Sequence, residues 1–209
     1  MNYNGFIFDF DGTIANTSEG VTNSVRYALK KMNLPALEEK KLYSFIGPSL
    51  YHSFSVTVGL NEQDTEKAIA YYREYYIPNG VYQCKLYEGM EELLSELSQH
   101  GTVTIASAKP QPQLEIVVKH LGLDRYVKKI VGASLTTKDN DKAIQLKEAT
   151  LTEKSVMIGD SPYDVQASKR VGLPCIAVAY GFTTKERLEE ERPEKIANSV
   201  AHLREILLG

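Results

Sequence analysis

The chain has 209 residues, 43% hydrophobic and 24% charged, with a formal net charge of −3. That length suits one α/β domain or one domain plus an insertion, and the slight acidity offers no basic face for a nucleic-acid polymer. Two cysteines, Cys84 and Cys175, cannot build a disulfide framework. No window approaches the roughly 20 apolar residues of a membrane span, and no basic region followed by an apolar run opens the chain. The expectation is a reducing cytoplasm and no membrane.

Gly5 to Thr13 reads as a short strand that ends in two carboxylates, a glycine and a hydroxyl. Phe6, Ile7, Phe8 and Phe10 are apolar on both parities, as in a parallel strand covered on both faces. Asp9 breaks that run, and a carboxylate at the end of a buried strand is costly without a partner. Val21, Val25, Ala28, Leu29 and Met32 then fall at helical spacing, with Thr17 or Ser18 as the cap and Pro35 as the stop. A short helix is expected over 38–45. After a break at Gly47-Pro48, helix resumes to about Val58 and closes at Gly59. A long helix from Asn61 or Thr65 passes Ala68, Ile69, Tyr72, Tyr75 and Tyr76 and stops at Pro78. Seven of the thirteen tyrosines lie in this helical stretch, where core and interface filling is the ordinary use of tyrosine.

From Tyr87 onward the texture changes. Helices are expected over 90–100, 111–121, 141–150 and 163–171, and strands over 102–107, 129–133, 155–158 and 175–178. Two late helical stretches follow, over 184–191 and 200–208. Strands alternating with helices of about ten residues mean βαβ units and a parallel sheet. The expected architecture is an α/β fold, a three-layer Rossmann-like parallel-sheet core over 1–15 and 82–209, with an all-helical domain inserted at 16–81.

Three strand ends carry polar residues in matching positions. The first gives Asp9 and Asp11, the second Ser107 and Lys109, and a later one Asp160 and Asp164. Parallel strands bring all their carboxyl ends to one edge, so these residues converge there. Several carboxylates together repel one another unless a cation sits among them, and an all-oxygen set suits Mg²⁺. A serine hydroxyl and a lysine are donors and suit a phosphoryl group beside the metal.

Asp9-Phe10-Asp11-Gly12-Thr13, Ser107, a lysine in 138–142, and Gly159-Asp160 with Asp164 resemble the four motifs of the haloacid dehalogenase superfamily, and most of all its phosphoglycolate phosphatase-like branch. The resemblance covers the whole chain and makes the helical insertion a cap domain. It implies that Asp9 is the nucleophile and forms an aspartyl-phosphate, and that Asp11 is the general acid and then the base. Mg²⁺ would be held by the Asp9 carboxylate, the Asp11 backbone carbonyl and Asp160, with Asp164 a ligand or a support. Ser107 and the amides around Asp11 and Ala108 would bind phosphate oxygens, the lysine would hold nucleophile and phosphate together, Gly12 would let the chain turn, and Thr13 would fix that turn and Asp11.

Either Lys138 or Lys142 fits the lysine. Lys142 is favoured, because Asn140 or Asp141 would cap a helix that it opens. Ala108 and Asn16 depart from the pattern, standing where many relatives carry a polar residue and an acid.

Plainer uses are available for several of these residues. Ser107 alone is an ordinary strand-end serine, Lys109-Pro110 can simply start a helix, and Asp164 can be a helix-start charge. A calcium loop is excluded for 9–13, because its later acidic positions are missing. His52, His100, His120 and His202 show no metal spacing.

The function expected is a Mg²⁺-dependent phosphatase for a small phosphorylated metabolite such as a phosphoglycolate-like compound, a sugar phosphate or a nucleotide monophosphate. Gly47, Pro48 and Ser49 form the expected specificity loop of the cap. A phosphomutase or pyrophosphatase on the same scaffold is the alternative. A dehalogenase would need neither Asp11 nor a metal set, and a catalytically silent binding protein would not need the full catalytic complement.

Overall fold

The computed structural model describes residues 3–134 and 141–209. Its sheet is built around Gly5–Phe8 (β1), whose four residues are all buried. Thr102–Pro110 (β4) pairs with one side of β1 and Ser155–Gly159 (β6) with the other. Phe8 lies level with Ile105 on one flank and Ile158 on the other. Lys129–Ala133 (β5) extends the β4 side, while Cys175–Val178 (β7) and Lys195–Ala197 (β8) extend the β6 side. Ala15–Asn16 (β2) and Lys85–Leu86 (β3) make a separate two-stranded sheet.

Every pairing in the six-stranded sheet is parallel, in the order β5-β4-β1-β6-β7-β8. The chain builds outward from β1 to one edge and then returns to build outward on the other. The order therefore reverses at β1, and open α/β sheets form their binding crevice beyond the carboxyl ends at such a reversal.

Helices Met90–His100 (α5), Gln111–His120 (α6), Lys142–Ala149 (α7), Pro162–Val171 (α8), Lys185–Glu190 (α9) and Val200–Leu208 (α10) alternate with these strands. Ile7, Ala106, Val131 and Met157 of the sheet share one apolar cluster with Leu146 of α7 and Val165 of α8. Phe6 and Phe8 alternate with Ile7 and are fully buried as well. This is why β1 reads as apolar on both parities.

The described residues divide into two compact units: 3–16, 86–134 and 141–209 form the sheet unit, and Thr17–Lys85 forms the helical one. In the helical unit, Ser18–Lys31 (α1) packs on Glu62–Tyr76 (α4). Val21, Val25, Ala28 and Leu29 line the buried side of α1, and Ala68, Tyr72 and Tyr76 that of α4. Asn61 caps α4, accepting from the Asp64 amide at 2.9 Å. Glu39–Tyr43 (α2) and Leu50–His52 (α3) are short, and Phe45 and Phe54 meet edge to face at 5.0 Å. Of the seven tyrosines expected as filling, only Tyr72 and Tyr76 are buried, stacked at 5.3 Å, and Tyr43 is 46% exposed.

Besides the β2–β3 pair, several local features differ from the sequence reading. Residues 53–57 form a π-helical turn in which the Val58 amide reaches back to the Ser53 carbonyl at 3.3 Å; side-chain periodicity does not register one extra residue per turn. Strand β8 was not expected, because three residues opening on a lysine carry no legible alternation. Strand β4 runs to Pro110, with a shift in its register against β5 between Ala106 and Pro110.

Candidate active site

Asp9 follows β1 directly, its amide still donating to the Ile158 carbonyl at 2.8 Å. The chain then folds back on itself. The amides of Thr13, Ile14 and Ala15 all donate to the Phe10 carbonyl, and the Gly12 amide donates to Ala15. Gly12 carries the turn at φ +82°, and a Cβ there would lie 2.2 Å from Asp160 Oδ2. Only glycine meets both demands. The turn is held by backbone groups, Thr13 among them, while Thr13 Oγ1 is buried with no hydrogen-bond partner among the described residues.

The Lys142 ammonium stands 2.9 Å from Asp9 Oδ1 and also pairs with Asp164 Oδ1. Lys142 is the first residue of α7, and Asp141 caps that helix by accepting from the Ala143 amide at 3.0 Å. Arg170 of α8 grips the same Asp141 carboxylate with two hydrogen bonds of 2.8 Å. The start of α7 is thereby fixed and Lys142 is aimed. Lys138, the alternative lysine, lies outside the described residues.

Asp160 follows β6 directly, and its Oδ2 accepts the Phe182 amide at 2.7 Å. Asp164 is fully buried in the first turn of α8. Its Oδ2 accepts the Ser161 amide at 3.0 Å and the Ser161 hydroxyl at 2.6 Å, closing a capping box. Carboxylate oxygens of Asp9, Asp160 and Asp164 lie within 4.8 Å of one another.

Asp11 is turned to a different partner. Lys109 Nζ is 3.1 Å from Asp11 Oδ1, and both side chains are largely buried. Lys109 lies within the shifted stretch of β4. Ser107 is buried two residues earlier, and its Oγ accepts the Lys109 amide at 3.3 Å. Ala108 lies between them and is partly buried. Gly47, Pro48 and Ser49 belong to the helical unit, where Ser49 caps α3 by accepting the His52 amide at 3.2 Å.

The cluster is short of positive charge. Burial, together with the Asp164 and Asp11 charges, pushes Asp9 up to about 6, although Lys142 pulls the other way. Burial and the charges of Asp9 and Asp164 raise Asp160 well above the usual carboxylate range. Burial also disfavours the Lys142 ammonium, but Asp164 and Asp9 outweigh it and hold Lys142 above its ordinary value. Three buried carboxylates against one lysine, all hard oxygen donors, are the donor set a divalent cation such as Mg²⁺ takes.

The haloacid dehalogenase-like hydrolase family model matches residues 6–178. This chain belongs to the haloacid dehalogenase-like hydrolases. Relatives similar across its whole length include a 5′-nucleotidase of Pseudomonas aeruginosa, 32% identical over 213 residues that cover 99% of this chain and 96% of that protein. The tyrosine-protein kinase PtkA of Mycobacterium tuberculosis is 28% identical over 96% of this chain and 71% of its own length. The crystal structure of a predicted phosphatase from Clostridium acetobutylicum superposes with a TM-score of 0.92 at 34% identity, covering 100% of this chain and 99% of that one.

Within the family framework, Lys109 is the residue that sequence reasoning undervalued. It was seen as a strand-end donor, yet a helix start before Pro110 explained it equally well. It pairs with Asp11 from a stretch of β4 whose register against β5 shifts, which periodicity does not reveal. Arg170, Tyr180, Gly181 and Phe182 carried no motif signal at all, since each acts through a contact distant in sequence.

Proposed function

We propose that this hydrolase is a Mg²⁺-dependent phosphatase that cleaves the monoester of a small phosphorylated metabolite through an aspartyl-phosphate. The observation that carries the reading is Asp9 itself. It is a buried carboxylate at the carboxyl end of the central strand, 2.9 Å from Lys142 and clustered with Asp160 and Asp164. An Asp9 oxygen attacks phosphorus as the bond to the leaving oxygen breaks, and Asp11 gives that oxygen a proton. Water then attacks the phosphorus, Asp11 takes its proton, and the Asp9–phosphorus bond breaks to release phosphate and restore the carboxylate.

Lys142 offsets the charge of Asp9 and of the arriving phosphoryl group. Lys109 orients the Asp11 carboxylate for both proton transfers. Ser107 and the backbone amides around Asp11 and Ala108 are the donors proposed for the phosphate oxygens, since the Gly12 and Thr13 amides are engaged within the turn. Asp9 and Asp160, with the Asp11 carbonyl, would hold Mg²⁺, which when bound screens the carboxylates and polarises the phosphoryl group. Asp164 has both oxygens committed, to Lys142 and to Ser161, so its proposed part is to aim Lys142 rather than to bind the metal.

The helical unit, proposed as the cap over 16–81, would select the substrate, with Gly47, Pro48 and Ser49 as its specificity loop. The 5′-nucleotidase relative makes nucleoside monophosphates the first class to try. The test is release of inorganic phosphate from a panel of nucleoside monophosphates, sugar phosphates, phosphoglycolate and pyrophosphate, with and without chelator. Release that stops on chelation and returns with Mg²⁺ is expected. Conversion of sugar phosphates without phosphate release would replace hydrolysis by a mutase reaction, and rates indifferent to chelation would remove the metal.

A further inference from the structure

The segment after β7 reaches across the end of β6 to the turn that carries Asp11. Tyr180 Oη donates to the Thr13 carbonyl at 3.1 Å. A Cβ on Gly181 would lie 2.4 Å from Asp160 Cβ and 2.5 Å from the Gly12 carbonyl, so the backbone passes there with no room for a side chain. The Phe182 amide then donates to Asp160. Tyr87 meets the same turn from another direction, its amide donating to the Ile14 carbonyl at 3.2 Å. The Tyr87 and Tyr180 rings touch edge to face at 4.8 Å.

Thr13, Ile14 and Ala15 are fully buried, so their carbonyls need partners. Tyr180 and Tyr87 supply those for two consecutive ones. On its other side Asp11 is held through its carboxylate by Lys109. Asp11 thus sits between a side-chain anchor from β4 and a backbone anchor from the segment after β7.

We infer that Tyr180 is a positioning residue for Asp11, its hydroxyl fixing through the Thr13 carbonyl the turn that aims the acid at the leaving oxygen. This deepens the proposed reading and rests on Asp11 being the general acid. A shift of the turn after loss of that hydrogen bond misplaces the proton donor while leaving Asp9, Lys142 and Asp160 where they are. The damage should then depend on how much the leaving group needs a proton.

The test compares kcat/KM, which reports events up to leaving-group departure, for an aryl phosphate (p-nitrophenyl phosphate) and an alkyl phosphate (glycerol 3-phosphate or an alkyl ester found active in the panel). The enzymes are wild type, Asp11→Asn and Tyr180→Phe, all with Mg²⁺. Tyr180→Phe should lose roughly tenfold with the alkyl ester and less than about twofold with the aryl ester, a weaker copy of the Asp11→Asn pattern. If Asp11→Asn shows the split and Tyr180→Phe loses equally with both esters, or loses nothing, the positioning role is overturned and the acid role stands. If Asp11→Asn shows no split, the acid role falls and the inference falls with it.

Amide hydrogen exchange of the unreacted variant gives a second readout. Faster exchange confined to Gly12, Thr13, Ile14 and Ala15 is expected. Faster exchange throughout β1, β4 and β6 would mark a general loss of stability and overturn the inference.

Discussion

In the sheet unit, Asp9, Asp160, Asp164, Lys109 and Lys142 are all buried, whereas the buried polar side chains of the helical unit are hydroxyls: Thr17, Thr22, Ser24, Ser53 and Thr65. A hydroxyl can be satisfied inside its own helix, as Ser24 is by the Gly20 carbonyl at 2.6 Å. A buried carboxylate needs a partner from another element, and Asp9 finds Lys142 across more than a hundred residues of chain. Burying a charge costs several kcal/mol even when it is paired. One unit therefore carries a standing electrostatic cost where the other carries almost none, which is the expected distribution if chemistry resides in the first and selection in the second.

The contrast can be broken most severely at Asp9. Asp9→Asn should lower phosphate release by at least about a thousandfold, since no other carboxylate can take over as nucleophile. Its circular dichroism should match wild type; near-normal turnover would end the covalent mechanism. Lys142→Met should come next, at roughly a hundredfold in kcat/KM. It should also melt well below wild type, because Asp9 and Asp164 are left buried without their cation, a loss of about 3–5 kcal/mol. A Lys142→Met protein that melts like wild type would show that the cluster is not under electrostatic load.

A third measurement tests the load by pH. Asp9 titrates near 6 in the folded protein, above its ordinary value. The folded state therefore holds that proton more tightly than the unfolded chain does. The associated stability is present below about pH 4 and is lost as pH rises through 6. In chelator, wild type should lose stability relative to Asp9→Asn across that window, by on the order of 1 kcal/mol per pH unit. Parallel melting curves for the two proteins would contradict it. The smallest effect is expected in the helical unit. Ser49→Ala removes the α3 cap and should cost about 1 kcal/mol of local stability, with kcat unchanged and KM moved only a few-fold.

The same contrast explains what the sequence disclosed. The apolar run of β1, the abrupt carboxylates at Asp9 and Asp11, and the pattern change after Pro78 are local signals, and they sufficed for a parallel sheet with a helical insertion. Asp160, Asp164 and Lys142 were legible because each closes a strand or opens a helix at a place the topology brings together. Lys109 was only half legible: its type and position mark a strand-end donor, but its pairing with Asp11 is a contact between residues nearly a hundred apart that carries no local signal. Tyr180 and Phe182 were invisible, because a tyrosine hydroxyl and a backbone amide that act across more than twenty residues leave no periodicity. In the helical unit the tyrosines divide: Tyr72 and Tyr76 are buried, Tyr27, Tyr51, Tyr71 and Tyr75 are half-buried, and Tyr43 is exposed, a grading that residue type alone does not carry.

The central position of β1 bears on how the protein is made. Gly5 pairs with Thr102 on one side and with Ser155 on the other. Strand β1 therefore waits, edge exposed, until the chain through β6 has been synthesised before both flanks are covered. Long-range parallel pairing of this kind folds slowly and leaves sticky edges in the interim. A nascent chain cut before β6 would hold Asp9 and Asp11 but neither Asp160 nor a second wall for the strand that bears them. The strand that leads to Asp9 is thus made before either of the strands that cover it, and helpers that shield nascent chains would have Phe6, Ile7 and Phe8 to cover.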